Sequence, residues 1–405
     1  MIKKDLFTVN NIQNKHLKKN FLRKYSKEYK KIISGISSEI KNNNKTLNIL
    51  SKNFNFNFKI NDLNNFKKFK TIALIGMGGS ILGAEAIYNF LQEKIKKRIY
   101  FFDDLNEVKV TNFKKKENLA KVLFIIISKS GNTVETLSNV FSLNIIKNRS
   151  KNIILISEKR NNLIFLLSKK FNIFFIAQKS HIGGRYSVLS EVGIIPGYLM
   201  GIDILRLRSK IRHFLDGKEK SFLKDSVIKL ACILSSKKLN NLVFINYCPE
   251  LEKFLFWSQQ LIAESLGKKK MGFLPIISNA PKDHHSLLQL YLDGPKDKLF
   301  VIFSSGRKSK EKVNMLRNLG MNTFLNKKKL SMVKNVQKKA LIKTFLKNNI
   351  PFREFKIQTI NEEVLGKLFS FFIMETVILG KLLNINPFDQ PAVEQVKIYT
   401  KKLLN

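Results

Sequence analysis

Cysteine is almost missing from this chain of 405 residues: Cys232 and Cys248 are the only two. Two thiols cannot build a disulfide framework at this length, so a reducing compartment, the cytoplasm, is expected. Histidine occurs five times, and no His or Cys spacing of a metal site accompanies it. Long apolar runs are also lacking. The longest, 368–383, is interrupted by Glu375 and Lys381 and reads as a buried helix, not a membrane span. The N-terminal residues carry no unbroken apolar stretch behind their charges, unlike a secretory signal. Acidic residues are scarce: 30 Asp and Glu stand against 73 Lys and Arg, for a net charge of +43. Such an excess suits a nucleic-acid or acidic-membrane partner. It also suits a lysine-rich surface of biased composition. The lysines are scattered in short runs, and no zinc-finger spacing, RNP-type strand or arginine-rich tail appears. Compositional bias is therefore preferred, with no specific nucleic acid and no membrane as partner.

What the chain does have is apolar matter in short blocks, 44% of its residues being hydrophobic. One group of buried-strand segments covers 71–75, 99–102, 122–127, 153–156 and 173–176. A second covers 242–245, 273–277, 299–303, 322–325 and 353–357. Helical periodicity separates most of them. Apolar strands without alternation, separated by helices, imply parallel sheets covered on both faces. The expected fold class is α/β, with two five-stranded domains in tandem. Residues 1–65 read as polar and mostly helical, 187–237 as a helical connection, and 361–383 as a long helix followed by a turn and a last helix.

In open parallel sheets ligands bind beyond the carboxyl ends of strands, and the unusual residues cluster there. Gly76, Gly78, Gly79 and Ser80 follow the 71–75 strand. A dinucleotide fingerprint would need glycine where Ile81 stands. A tight packing turn and a turn meeting a ligand closely both remain open. After 122–127 comes a loop with Ser128, Ser130, Gly131, Asn132 and Thr133, then an apparent helix. Backbone N–H groups and hydroxyls at a positive helix N-terminus suit a phosphate. One hydroxyl is enough to cap a helix; three or four favour the phosphate of a small molecule.

Further along, Gly183 and Gly184 precede Arg185, which is either an anion-stabilising guanidinium or a surface charge beside a turn. On a helix over 251–266, Gln260 and Glu264 share a face. Glu264 is a candidate general base, or a simple partner for Lys268. After 273–277, Asp283 precedes His284 and His285. One imidazole of the pair suits acid–base work, since adjacent residues usually point apart. Gln390 and Lys397 lie near the end, where a helical lysine is ordinarily a solvated charge.

Taken in order, the segments IGMGGSILGAEA (75–86), ISKSGNTVET (127–136), GGRYSVLSEVGIIPG (183–197), QQLIAESLGK (259–268), HHSLLQLYLDGP (284–295) and PFDQPAVEQVK (387–397) resemble the phosphoglucose isomerase family. The resemblance implies two sugar-isomerase (SIS) domains, each a three-layer α/β/α sandwich. These would cover 66–210 and 211–360, with 1–65 packing on the second domain and 361–405 completing the active site. It implies interconversion of glucose 6-phosphate and fructose 6-phosphate through a cis-enediolate, without cofactor or metal. Glu264 would move the proton and Arg185 would stabilise the enediolate. His285, arriving from the other subunit of a homodimer, would open the ring with help from Lys397. Ser128, Ser130 and Thr133 would cradle the phosphate, with Gly79 and Ser80 nearby. Gln260 and Gln390 would contact the sugar or the phosphate. A dual phosphoglucose/phosphomannose isomerase and a non-catalytic SIS phosphosugar-binding regulator are the alternatives.

Overall fold

The computed structural model describes residues 5–314 and 324–404. Ten strands are present: β1 Leu6–Asn10, β2 Thr71–Ile75, β3 Arg98–Phe102, β4 Val122–Ile127, β5 Ile153–Ser157, β6 Phe174–Ala177, β7 Asn241–Asn246, β8 Leu274–Asn279, β9 Lys298–Ser305 and β10 Phe352–Ile357. They form two five-stranded sheets, ordered β3-β2-β4-β5-β6 and β1-β10-β9-β7-β8. Every pairing is parallel except β1 with β10. The strand order reverses between β2 and β4 in the first sheet, and between β7 and β9 in the second. Each reversal opens a crevice beyond the strand ends.

The strands are apolar on both faces because both faces are covered. In β2, Ile72 and Leu74 enter the core shared by the two sheets, whereas Ala73 and Ile75 face a separate outer core. In β7, Leu242 and Phe244 join the same shared core and Val243 and Ile245 an outer one. The central layer contains the helix Glu362–Leu382, of which nearly every residue is buried. The helix Glu252–Leu266 packs between it and the helix Leu82–Leu91. That packing sets Gln260 and Glu264 against the loops of the first sheet. The central layer also holds an ion pair: fully buried Arg353 of β10 pairs with Glu375 of the long helix and with Ser226 Oγ.

The second sheet departs from expectation at one strand. Its fifth member is Leu6–Asn10, not 322–325. Phe324 and Leu325 lie in a turn, and residues 322 and 323 fall outside the described residues. The N-terminal segment, expected as helical, therefore opens with an edge strand and continues into the helix Lys19–Lys41. Leu6–Asn10 alternates between buried and exposed positions. Only one face of this edge strand is covered, so it lacks the continuous apolar run of the inner strands.

Candidate active site

Three loops meet at the carboxyl end of the first sheet because glycines let their backbones touch. A Cβ on Gly76 would lie 2.9 Å from the carbonyl oxygen of Ile127, at the end of β4. One on Gly79 would lie 2.2 Å from the carbonyl carbon of Gly184 and 2.5 Å from the Arg185 nitrogen. Gly78 adopts φ +51°, and a Cβ there would come within 2.7 Å of Gln260 Nε2. The glycine turn after β2 thus joins the β4 loop, the Arg185 turn and the Gln260 helix. It is a packing turn at which the elements of the site meet.

Arg185 is buried, and all five of its N–H donors are used. Nε donates to Ser265 Oγ at 2.7 Å. Nη1 donates to Glu264 Oε2 at 3.1 Å and Gln390 Oε1 at 3.0 Å. Nη2 donates to the carbonyls of Pro387 at 2.7 Å and Asp389 at 2.9 Å. The rigid guanidinium fork suits this role; an ammonium with three donors could not satisfy it. Tyr186 supports the same assembly, its hydroxyl bonding Ser265 Oγ at 2.8 Å and the Pro387 carbonyl at 2.9 Å.

Glu264 is held from both sides. Its Oε1 accepts from Gln260 Nε2 at 2.9 Å, and its Oε2 from Arg185. The Gln260 Oε1 is buried without a hydrogen-bond partner. Lys268, the ordinary partner considered for Glu264, instead pairs with Asp389 at 2.8 Å. That contact pins the 386–390 turn on which Gln390 sits, and it draws the Asp389 carboxyl below the usual carboxylate range.

The hydroxyl loop is not a plain helix cap. Thr133 precedes the helix Val134–Ser142 without a side-chain capping bond. Its Oγ1 is shared instead with Ser128 Oγ at 2.8 Å and Ser130 Oγ at 3.4 Å. Ser128 and Ser130 also accept from the backbone of Gly131 and Asn132. The loop is tied down from behind: Gly131 adopts φ +69°, and Asn132 Oδ1 accepts from Leu163 N at 2.9 Å. Three hydroxyls then surround one point at a helix N-terminus, chemistry that suits a phosphate. Lys129 lies in the same loop, and nothing in its sequence context distinguishes it from the chain's other lysines. It reaches the Ser180 carbonyl at 2.7 Å and Glu158 at 3.5 Å, and burial lowers its pKa. Tyr186 and Ser265 carry no sequence signal of their own beyond being the chain neighbours of Arg185 and Glu264.

Two expected members stand apart. His285 is exposed, on the turn Lys282–His285. Its neighbour His284 is the one turned inward, bonding Tyr247 Oη through Nε2 at 2.7 Å, and burial lowers its pKa. Lys397 lies exposed on the final helix Glu394–Leu404, paired with Glu394 at 2.8 Å. No hydrogen bond or ion pair connects either residue to Arg185 or Glu264 among the described residues. Nor do the described residues hold a cluster of three or more His, Cys, Asp or Glu suited to a metal ion. No helix among them is long and apolar enough to cross a membrane.

Two parallel-sheet layers sharing a helical core, with a hydroxyl loop at one switch point, define a SIS-type α/β protein. The phosphoglucose isomerase family model matches residues 6–405, and the chain belongs to that family. A probable glucose-6-phosphate isomerase from Methanococcus maripaludis is 33% identical, across 97% of this chain and 91% of that protein. A glucose-6-phosphate isomerase from Methanocaldococcus jannaschii is 31% identical across 81% and 83%. Among solved structures, a glucose-6-phosphate isomerase from Chlamydia trachomatis has the same fold. It superposes with a TM-score of 0.70 at 20% identity, covering 84% of this chain and 71% of that one.

Proposed function

We propose that the chain interconverts glucose 6-phosphate and fructose 6-phosphate, with Glu264 as the base. The observation that carries this reading is the grip on Glu264, between an amide at 2.9 Å and a guanidinium at 3.1 Å. A carboxylate so oriented, backed by a fixed cation, suits proton abstraction beside a carbonyl. Glu264 takes the C2 proton of the open-chain aldose, giving an enediolate; the O2 hydroxyl proton passes to O1, and Glu264 returns its proton to C1 as the C2 oxygen becomes the carbonyl. Arg185 offsets the negative charge that develops on the oxygens. Ser128, Ser130 and Thr133, with Gly79 and Ser80 beside them, hold the phosphate and so place C1 and C2 at the carboxylate. Gln260 and Gln390 contact the sugar while bracing Glu264 and Arg185. A non-catalytic phosphosugar binder would have no use for such a held base.

Ring opening falls to His285, supplied by a second copy in a homodimer with Lys397 assisting. Within one chain His285 is exposed, which leaves it free to enter a neighbour's site. The final helix exposes Val396, Tyr399 and Leu403 at i, i+3 and i+7, an apolar face that a second copy would cover. Cys232 and Cys248 are both buried free thiols, in keeping with a cytoplasmic location.

The deciding experiment is a coupled assay of fructose 6-phosphate conversion with Glu264→Gln. The substitution keeps the shape and the Gln260 contact but removes the base. A loss of about three orders of magnitude, roughly 4 kcal/mol of barrier, is expected. Near-normal turnover would refute the mechanism.

A further inference from the structure

The far edge of the first sheet carries a feature that the isomerase reaction does not use. A cavity of about 810 Å³ lies at the amino ends of its strands. Thr71 opens β2, Arg98 opens β3, and Lys121 and Asn152 immediately precede β4 and β5; all four line the cavity. The loops bearing Gly79 and Ser128 leave from the opposite ends of β2 and β4. Strands of this length separate the two ends by about 17–20 Å. The cavity is therefore remote from Glu264 and Arg185.

Its charge is one-sided. Seven of the eighteen lining residues are Lys or Arg, against 73 of 405 in the whole chain, so the concentration exceeds the chain's general bias about twofold. Glu117 is the single acid, and its charge is already taken. It pairs with Arg98 at 3.2 Å and accepts from Tyr100 Oη at 2.8 Å. Lys68, Lys70, Lys116, Lys121, Lys147 and Lys151 make no ion pair among the described residues. Six uncompensated ammonium groups around a concavity repel one another and focus a positive potential into it. Phosphate groups relieve that repulsion. The cavity also has an apolar wall of Leu119 and Ile145 from the outer core of the sheet, with partly exposed Phe69 packing instead against the core between the sheets. Its volume falls within the range of small-molecule sites, roughly 300–1,000 Å³. A planar organic group can lie on that wall while its phosphates meet the lysines. Duplex nucleic acid presents its phosphates on a convex surface and would span the rim instead of filling the recess.

We propose that this recess is a second ligand site, for a nucleoside polyphosphate, separate from the sugar-phosphate site. The test uses the full chain with ATP, inorganic tripolyphosphate and a short DNA duplex as probes in calorimetric titrations at low salt without magnesium. Wild-type protein is expected to bind ATP at least tenfold tighter than tripolyphosphate, and saturating fructose 6-phosphate is expected to leave that affinity unchanged. The double variant Lys70→Glu/Lys121→Glu should weaken ATP at least tenfold while keeping wild-type isomerase turnover. Should that pair fail to fold by circular dichroism, Lys147→Glu/Lys151→Glu serves the same purpose on the other wall. The proposal is overturned by unchanged ATP affinity in a folded variant, or by displacement of ATP with fructose 6-phosphate. Tripolyphosphate binding as tightly as ATP, or the duplex binding more tightly than either, would also overturn it.

Discussion

Arg185 Nη1 lies 3.1 Å from Glu264 Oε2 and 3.0 Å from Gln390 Oε1, so one nitrogen joins three distant parts of the chain. The other three N–H groups are spent on Ser265 and two backbone carbonyls of the same turn. Arg185→Lys keeps the charge but cannot remake this fork. A fall in kcat of about 100-fold or more is expected, on the scale of losing an oxyanion donor. Thermal unfolding should also move down by several degrees. Normal turnover in this variant would take the guanidinium out of the proposed mechanism.

The shared-site reading makes a quantitative prediction. His285→Ala and Glu264→Gln proteins should each be nearly inactive alone. Random mixing makes about half the dimers hybrid, and each hybrid holds one intact site of two, so about a quarter of wild-type activity should return. Hybrid dimers verified by mass spectrometry yet lacking activity would mean that His285 serves its own chain or none.

Gly131 tests how the hydroxyl loop is held. At φ +69°, an alanine Cβ would sit 1.8 Å from Asn162 Oδ1, the atom that caps the helix Leu163–Lys170 through Phe165 N. Gly131→Ala should cost about 2 kcal/mol of stability from the backbone and the cap together. It should also raise KM for fructose 6-phosphate more than it lowers kcat, because the phosphate loop moves while Glu264 stays. Equal effects on KM and kcat would argue that the loop does not merely position substrate.

Glu85, on the helix that follows the glycine turn, is buried with Oε2 lacking a hydrogen-bond partner. Burial pushes its carboxyl up to about 7, although Lys253 lies 3.6 Å away and pulls the other way. The folded state therefore binds this proton more tightly than the unfolded chain does. Its stabilising effect is complete below the unfolded pKa near 4.5 and is lost as pH rises towards 7. Melting temperature should fall between pH 5 and pH 8, by the equivalent of roughly 2–3 kcal/mol at most. Glu85→Gln should flatten that dependence. An unchanged slope in the variant would assign it to other groups.

Much of the fold was legible because the inner strands are buried on both faces. Runs such as Val122–Ile127 and Ile153–Ser157 are apolar without alternation, and their short length with helical spacers between them fits a covered parallel sheet better than a buried helix. Leu6–Asn10 escaped notice for the converse reason. An edge strand covered on one side carries only half the signal, and its pairing with β10 spans almost the whole chain. The 322–325 segment shows the opposite error, a short apolar patch that does not place Phe324 and Leu325 in a strand. Within the candidate site, the residue types were readable but their partners were not. Lys268 is four positions from Glu264, the spacing of a helical ion pair, yet it turns to Asp389.

Sequence by itself determined the layered parallel architecture, the chemistry of the Ser128–Thr133 loop and the ordered motifs of the phosphoglucose isomerase family. Each rests on local pattern: burial period, hydroxyl density, and residues at fixed spacing. Tertiary structure alone decided that Arg185, Glu264, Gln260 and Gln390 are one hydrogen-bonded unit, and that His284, not His285, faces inward. It also decided that six lysines without an ion pair among the described residues converge on a recess at the far end of the sheet. The Arg185 unit depends on helices and turns brought together across 79 to 205 positions of chain, and the inward turn of His284 on Tyr247 across 37, distances that local spacing does not encode.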